Sequence, residues 1–130
     1  MKIDRKRGLL LIESFSNLKK PVRFEGFVSL GVGCKVSEIY AREIVTAKGC
    51  VLGKIICDRI FLGAFSTFNS IEAEEAIISN SCEGERIVAK AVRIGCNCDI
   101  SEIKAELLEM RGISRVQRME ALKIRCLDFI

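Results

Sequence analysis

Histidine and tryptophan are absent from this chain. Without histidine no Ser-His or Cys-His nucleophile pair can form, and a zinc site loses its usual nitrogen ligand. Proline occurs once, at Pro21, which excludes a proline-rich linker or disordered chain. Aromatic residues make up only 6% of the sequence, so a core must be built from aliphatic and small side chains. No apolar run approaches the length needed to cross a bilayer. The run Leu9-Leu10-Leu11-Ile12 stops at Glu13, too soon for the hydrophobic region of a signal peptide. Charge of one sign is also lacking. The net charge is +4, from 21 basic and 17 acidic residues of alternating sign. No basic stripe interleaved with aromatics appears, so nucleic acid is not an expected partner. The densest basic cluster is Lys2, Arg5, Lys6 and Arg7.

What is present is cysteine, aliphatic residues and a period. Seven cysteines without a signal peptide point to a reducing compartment, and so to a cytoplasmic location. Hydrophobic residues are 49% of 130, enough for one domain with a dry core. From Gly26 to Ala121 the sequence falls into six rows of sixteen residues with no insertion or deletion. The third place of each row reads Val28, Ile44, Ile60, Ala76, Val92, Leu108, and continues to Ile124. The fourteenth reads Ile39, Ile55, Ile71, Ile87, Ile103, Met119; the sixteenth reads Ala41, Cys57, Ala73, Ala89, Ala105, Ala121. Such a period marks a solenoid.

Within a row the apolar or small places are 3, 5, 9, 11, 14 and 16. Residues two apart share one face of a strand, so each row holds three short strands separated by corners. Equivalent places then stack as parallel strands about 4.8 Å apart. The expected fold is all-β: a single-stranded parallel β-helix with three short strands per rung and six to seven rungs. Gly31, Gly33, Gly49, Gly63, Gly95 and Asn97 fall at corners, where a tight backbone needs them. Residues 1–9 read as a short basic and apolar N-terminal segment, and residues 10–130 as the β-helix domain. Two single-residue insertions let Leu10, Ile12, Ser16, Leu18, Val22 and Phe24 fill the six inward places of a first rung. The stretch Ser101 to Lys123 has the composition of a helix, yet its residues keep their columns, and the columns predict strands.

Candidate chemistry is sparse. Cys34, Cys50, Cys82 and Cys98 share place 9 with Ser66 and Ser114. A stack of small core residues explains that mixture, and a ligand set does not. Cys96 and Cys98 form C-x-C, which without a second such pair is a weak metal signal. Glu72, Glu74 and Glu75 cluster at one corner and are the only carboxylates that invite a polysaccharide-cleaving reading. No catalytic residue, cofactor or metal is expected, and the chain does not read as an enzyme.

The ends carry more. A β-helix exposes a ring of unpaired strand edges at each end unless something caps it. The apolar finish Leu122 to Ile130 and the apolar start Leu9 to Phe15 present no polar cap, so each end is a template for another copy. The expected contacts are Leu10, Ile12, Phe15 and Leu18 at one end and Ile124, Leu127, Phe129 and Ile130 at the other. The segment Lys2, Ile3, Arg5, Lys6, Arg7 and Leu9 combines cations with apolar side chains and is the expected membrane contact.

With its aliphatic rungs and phrases such as Ile71-Glu-Ala-Glu-Glu and Val88-Ala-Lys-Ala-Val-Arg-Ile-Gly95, the chain resembles the bactofilins, over about Leu10 to Ile130. The resemblance implies a right-handed helix. It implies a polymer-forming bacterial cytoskeletal protein that assembles through its ends, without nucleotide, often beside the membrane. Expected partners are further copies of the chain, a membrane surface, and client proteins of the cytoplasm or of envelope synthesis. The competing expectation is a monomeric β-helix that docks a partner on one flat face.

Overall fold

The structure, a computed structural model, describes residues 1–127 and is all-β across them. Its strands, in chain order, are β1 (Lys2–Asp4), β2 (Leu9–Ile12), β3 (Asn17–Leu18), β4 (Val22–Leu30), β5 (Lys35–Thr46) and β6 (Val51–Ile56). They continue with β7 (Arg59–Leu62), β8 (Thr67–Ile78), β9 (Glu83–Ile94), β10 (Asp99–Arg111) and β11 (Arg115–Leu127). All but β1 pair in parallel, each rung on the next, forming a β-solenoid of about seven turns. Seven rungs about 4.8 Å apart give an axial length of about 34 Å.

The sixteen-residue period is the register itself. Ile39 pairs with Ile55, Ile55 with Ile71, Ile71 with Ile87, Ile87 with Ile103, and Ile103 with Met119. The first rung threads with two extra residues, as expected. Leu10 pairs with Val28 and Leu18 with Val36, Val22 with Ile39, and then Val28 with Ile44. The second extra residue is absorbed by an irregularity between Phe24 and Phe27. Ser101 to Arg111 and Arg115 to Lys123 form strand despite their helical composition, because most residues there have ladder partners on a neighbouring rung that an isolated segment lacks.

The strands are longer than three per rung would make them. β5 and β8 to β11 each run 12 or 13 residues around two of the three corners. At those corners the ladder skips one residue: Asn69, between the Phe68–Gly84 and Ser70–Arg86 pairs, and Glu74, between Ala73–Ala89 and Glu75–Ala91. A one-residue bend turns the chain while keeping the bonds on either side. Elsewhere the chain also breaks between β3 and β4 and between β6 and β7, but in these five strands only the third corner breaks the strand. There the eighth place takes a left-handed backbone, at Phe15, Gly33, Gly49, Phe65, Ser81 and Asn97. Its N–H reaches the carbonyl of the next rung, as from Gly49 to Ala64 at 2.9 Å and from Phe65 to Asn80 at 3.1 Å. Gly31, Gly63 and Gly95 serve differently: a Cβ on any of them would press against the preceding rung.

The core is a single column of aliphatic side chains running the length of the solenoid, with no buried polar side-chain atom lacking a partner among the described residues. One step in it is complementary in size. The Phe68 ring lies where a Cβ on Gly84, directly above or below it in the ladder, would have to go. Gly84→Val is expected to lower stability by about 1–3 kcal/mol through overpacking. Adding Phe68→Leu in the same chain should recover most of that loss, since contacting sites are not additive. Thermal denaturation of the single and double variants checks this; equal melting of Gly84→Val and the parent protein would refute it.

Candidate interfaces at the two ends of the solenoid

At the C-terminal end the core is left uncovered by the described residues. Ile103 and Leu108 are 0% exposed, but the residues stacked directly on them in the last rung, Met119 and Ile124, are 46% and 49% exposed. Nothing among the described residues pairs with the outer edge of β11. The backbone N–H and C=O groups on that edge thus have no ladder partner among the described residues. Leu127 closes β11, and Phe129 and Ile130 lie outside the described residues.

The N-terminal end is built differently. β1 folds back antiparallel on β2, pairing Lys2 with Leu11, Ile3 with Leu10 and Asp4 with Leu9. The first rung is thus not wholly bare: one of its three edges carries a short strap. Two polar links hold the strap. The Met1 amine meets the Glu13 carboxylate at 2.6 Å, and the Arg7 N–H reaches Asp4 at 3.3 Å. The amine beside it holds the Glu13 carboxyl below the usual carboxylate range. The edges of β3 and of Val22–Phe24 remain unpaired on their outer side among the described residues. Strap and open edges together form a mouth of about 890 Å³, lined by Ile3, Leu10, Leu18, Pro21, Val22 and Phe24 and by the cations Arg5, Lys19, Lys20 and Arg23.

The expected end residues separate into distinct settings. Leu10 and Ile12 are buried, Leu18 is half-buried in the mouth, and Phe15 stands 78% exposed at the strand-breaking corner rather than on the end face. Phe65, three rungs further along the same corner, is 69% exposed. Of the expected membrane segment, Lys2 and Ile3 lie in β1, Arg5, Lys6 and Arg7 in the turn that follows, and Leu9 opens β2. No helix among the described residues is long and apolar enough to cross a membrane.

Along the flanks, charges are paired between rungs. Arg59 meets Glu75 at 3.3 Å, Lys90 meets Glu74 at 3.0 Å, and Glu109, nearly buried, sits between Arg93 at 2.9 Å and Arg125 at 3.8 Å. Two of the three clustered glutamates are therefore rungs of a charge ladder, the role that surface carboxylates in a repeat ordinarily have.

The cysteine column has a role beyond filling space. The Cys50, Cys82 and Cys98 thiols donate to the carbonyls of Gly31, Gly63 and Ser79 at 3.1–3.3 Å, each nineteen residues back, and the Ser114 hydroxyl donates to Gly95 at 2.8 Å in the same way. At these ninth places a small donor serves a corner carbonyl, which explains why Ser114 can stand in the cysteine column. Sequence spacing shows the column but not the acceptor. Burial pushes the Cys57 thiol up to about 12 and raises that of Cys50. The neighbouring Cys98 and burial both raise the Cys82 thiol, so Cys82 keeps its proton, while Cys82 in turn lowers the Cys98 thiol. Cys50, Cys57 and Cys82 therefore sit in poor settings for a nucleophile. Cys82→Ser is expected to change stability by less than about 1 kcal/mol, whereas Cys82→Val loses the donor and should cost about 1–3 kcal/mol. Urea denaturation distinguishes the two; equal losses would show that packing alone sets this column.

Among the described residues no group of three or more Cys, Asp or Glu side chains is placed to hold a metal ion. No protein family, curated protein or solved structure matches the chain.

Proposed function

We propose that the chain is a structural protein whose solenoid extends by end-to-end contact between copies, without nucleotide, into filaments or a membrane-associated scaffold. The observation that carries this reading is the rung of β11, where columns that are dry through the interior end in half-exposed Met119 and Ile124 beside a strand edge unpaired among the described residues. A second copy supplies both things that rung lacks: backbone partners and an apolar floor. The resemblance to bactofilins points the same way.

The charges at the ends set a condition on assembly. The last rung carries Arg115, Arg118, Lys123 and Arg125 against Glu120, and the mouth carries four cations against Glu25. Whichever ends meet, cations approach cations. Raising the salt shortens the screening length from about 10 Å at about 0.1 M to about 3 Å at about 1 M. Assembly is therefore expected to strengthen with sodium chloride. Light scattering across a salt series at fixed protein concentration tests this. Scattering that falls as salt rises would mean that attractive ion pairs, not apolar contact, join the copies.

A second reading has one observation of its own. Val45 of β5 and Phe61 of β7 are exposed ladder neighbours on one flat face, and Leu11 of β2 lies exposed in the same column beyond Ser29. A monomeric module docking a partner there would remain a single protomer at every concentration.

A further inference from the structure

The mouth at the N-terminal end has the make-up of a ligand site in its own right, and its argument does not depend on self-assembly. Its floor is apolar: Leu10 is buried, and Leu18, Val22 and Phe24 are half-buried. Ile3 of the strap forms one wall and remains about half exposed toward the opening. The volume, about 890 Å³, falls within the range of sites that enclose small molecules. Around this floor stand Arg5, Lys19 and Lys20, none with a carboxylate partner among the described residues, and Arg23, which lies 4.5 Å over the Tyr40 ring. The single acid in the lining is Glu25. That contrasts with the flanks, where cations meet acids from rung to rung. An apolar chamber with an unneutralised cationic rim is complementary to one chemistry: an alkyl chain ending in an anion.

We propose that the mouth binds a single-chain anionic amphiphile, a monomeric long-chain carboxylate or alkyl phosphate. The chain lies against Leu10, Leu18, Val22 and Phe24, and the head group sits among Arg5, Lys19 and Lys20. A bound chain occupies the space a second copy would need, so the ligand also blocks contacts at this end.

Isothermal titration of the full chain with dodecyl phosphate, kept below its micelle concentration, tests the proposal. Binding of one ligand per chain is expected, at least tenfold tighter than that of dodecyltrimethylammonium or inorganic phosphate. Lys19→Glu with Lys20→Glu, both on exposed positions, should weaken it at least tenfold with unchanged circular dichroism, and Leu18→Glu should do the same. Equal binding of the cationic amphiphile would overturn the assignment, as would equal binding of inorganic phosphate or uptake of many molecules per chain. Sedimentation with anionic lipid vesicles, without binding of the monomeric amphiphile, would also overturn it and assign the cations to a membrane surface.

Discussion

Arginine at both Met119 and Ile124 is expected to leave the chain folded but monomeric. Both side chains are already about half exposed in the free rung, so the solenoid can turn an arginine head group into water along its aliphatic stem. In an end contact the same positions are central. Each would then place an unpaired cation between apolar layers, at a cost of several kcal/mol. Every 1.4 kcal/mol is about tenfold in affinity, so the concentration needed for assembly should rise at least about a hundredfold. Sedimentation velocity reads the state of assembly, and far-ultraviolet circular dichroism reads the fold. A variant that loses its β signal would show that the last rung belongs to the core rather than to an interface. A folded variant that assembles at the parent concentration would place the contact elsewhere.

Ile71→Asp should abolish folding altogether. Ile71 is 0% exposed and is stacked between Ile55 and Ile87 at the middle of the solenoid. A carboxylate there has no cation or donor within the column and must either ionise in an apolar core or remain protonated at large cost. Because a solenoid is held by contacts between neighbouring rungs, a break at its centre separates the two halves, neither of which buries its own end. Ile71→Ala removes the same methyl groups without the charge and should cost about 2–5 kcal/mol. Urea denaturation of the alanine variant and circular dichroism of the aspartate variant check the pair. A cooperative melt of Ile71→Asp close to that of the parent would contradict a dry core at this position.

The two predictions depend on parts of the molecule that were unequally legible. The place of Ile71 is readable from the period alone, because a residue that recurs every sixteen positions with the same character faces the same column. Even the irregular first rung is readable, since Leu10, Leu18 and Val22 meet the partners that the threading gives them. The strap is not. Lys2-Ile3-Asp4 has no periodic signal, and its antiparallel pairing depends on a strand edge that exists only after the solenoid has formed. The corners were partly legible. Glycine and asparagine reveal the left-handed position at Gly33, Gly49 and Asn97, but Phe15 and Phe65 adopt it against their own preference. There the ladder bond from the corner N–H outweighs local strain. The thiol-to-carbonyl bonds of place 9 also lay beyond sequence, since they join residues nineteen apart across a rung. The mouth was hidden for the same reason. Lys19 and Lys20 look like ordinary surface lysines until the fold places them beside Leu18, Val22 and Phe24.

The rung of β11 is where the fold supports the proposed assembly. A regular solenoid solves its packing problem everywhere but at its last rung, and the same rung pattern that stabilises the interior is what a second copy would offer. Negative-stain electron microscopy of the purified chain, without nucleotide and at high salt, tests this most directly. Extended filaments with an axial repeat of about 34 Å per protomer, from seven rungs about 4.8 Å apart, are the expected result. Uniform single particles, with sedimentation at 14.5 kDa across micromolar concentrations, would contradict it.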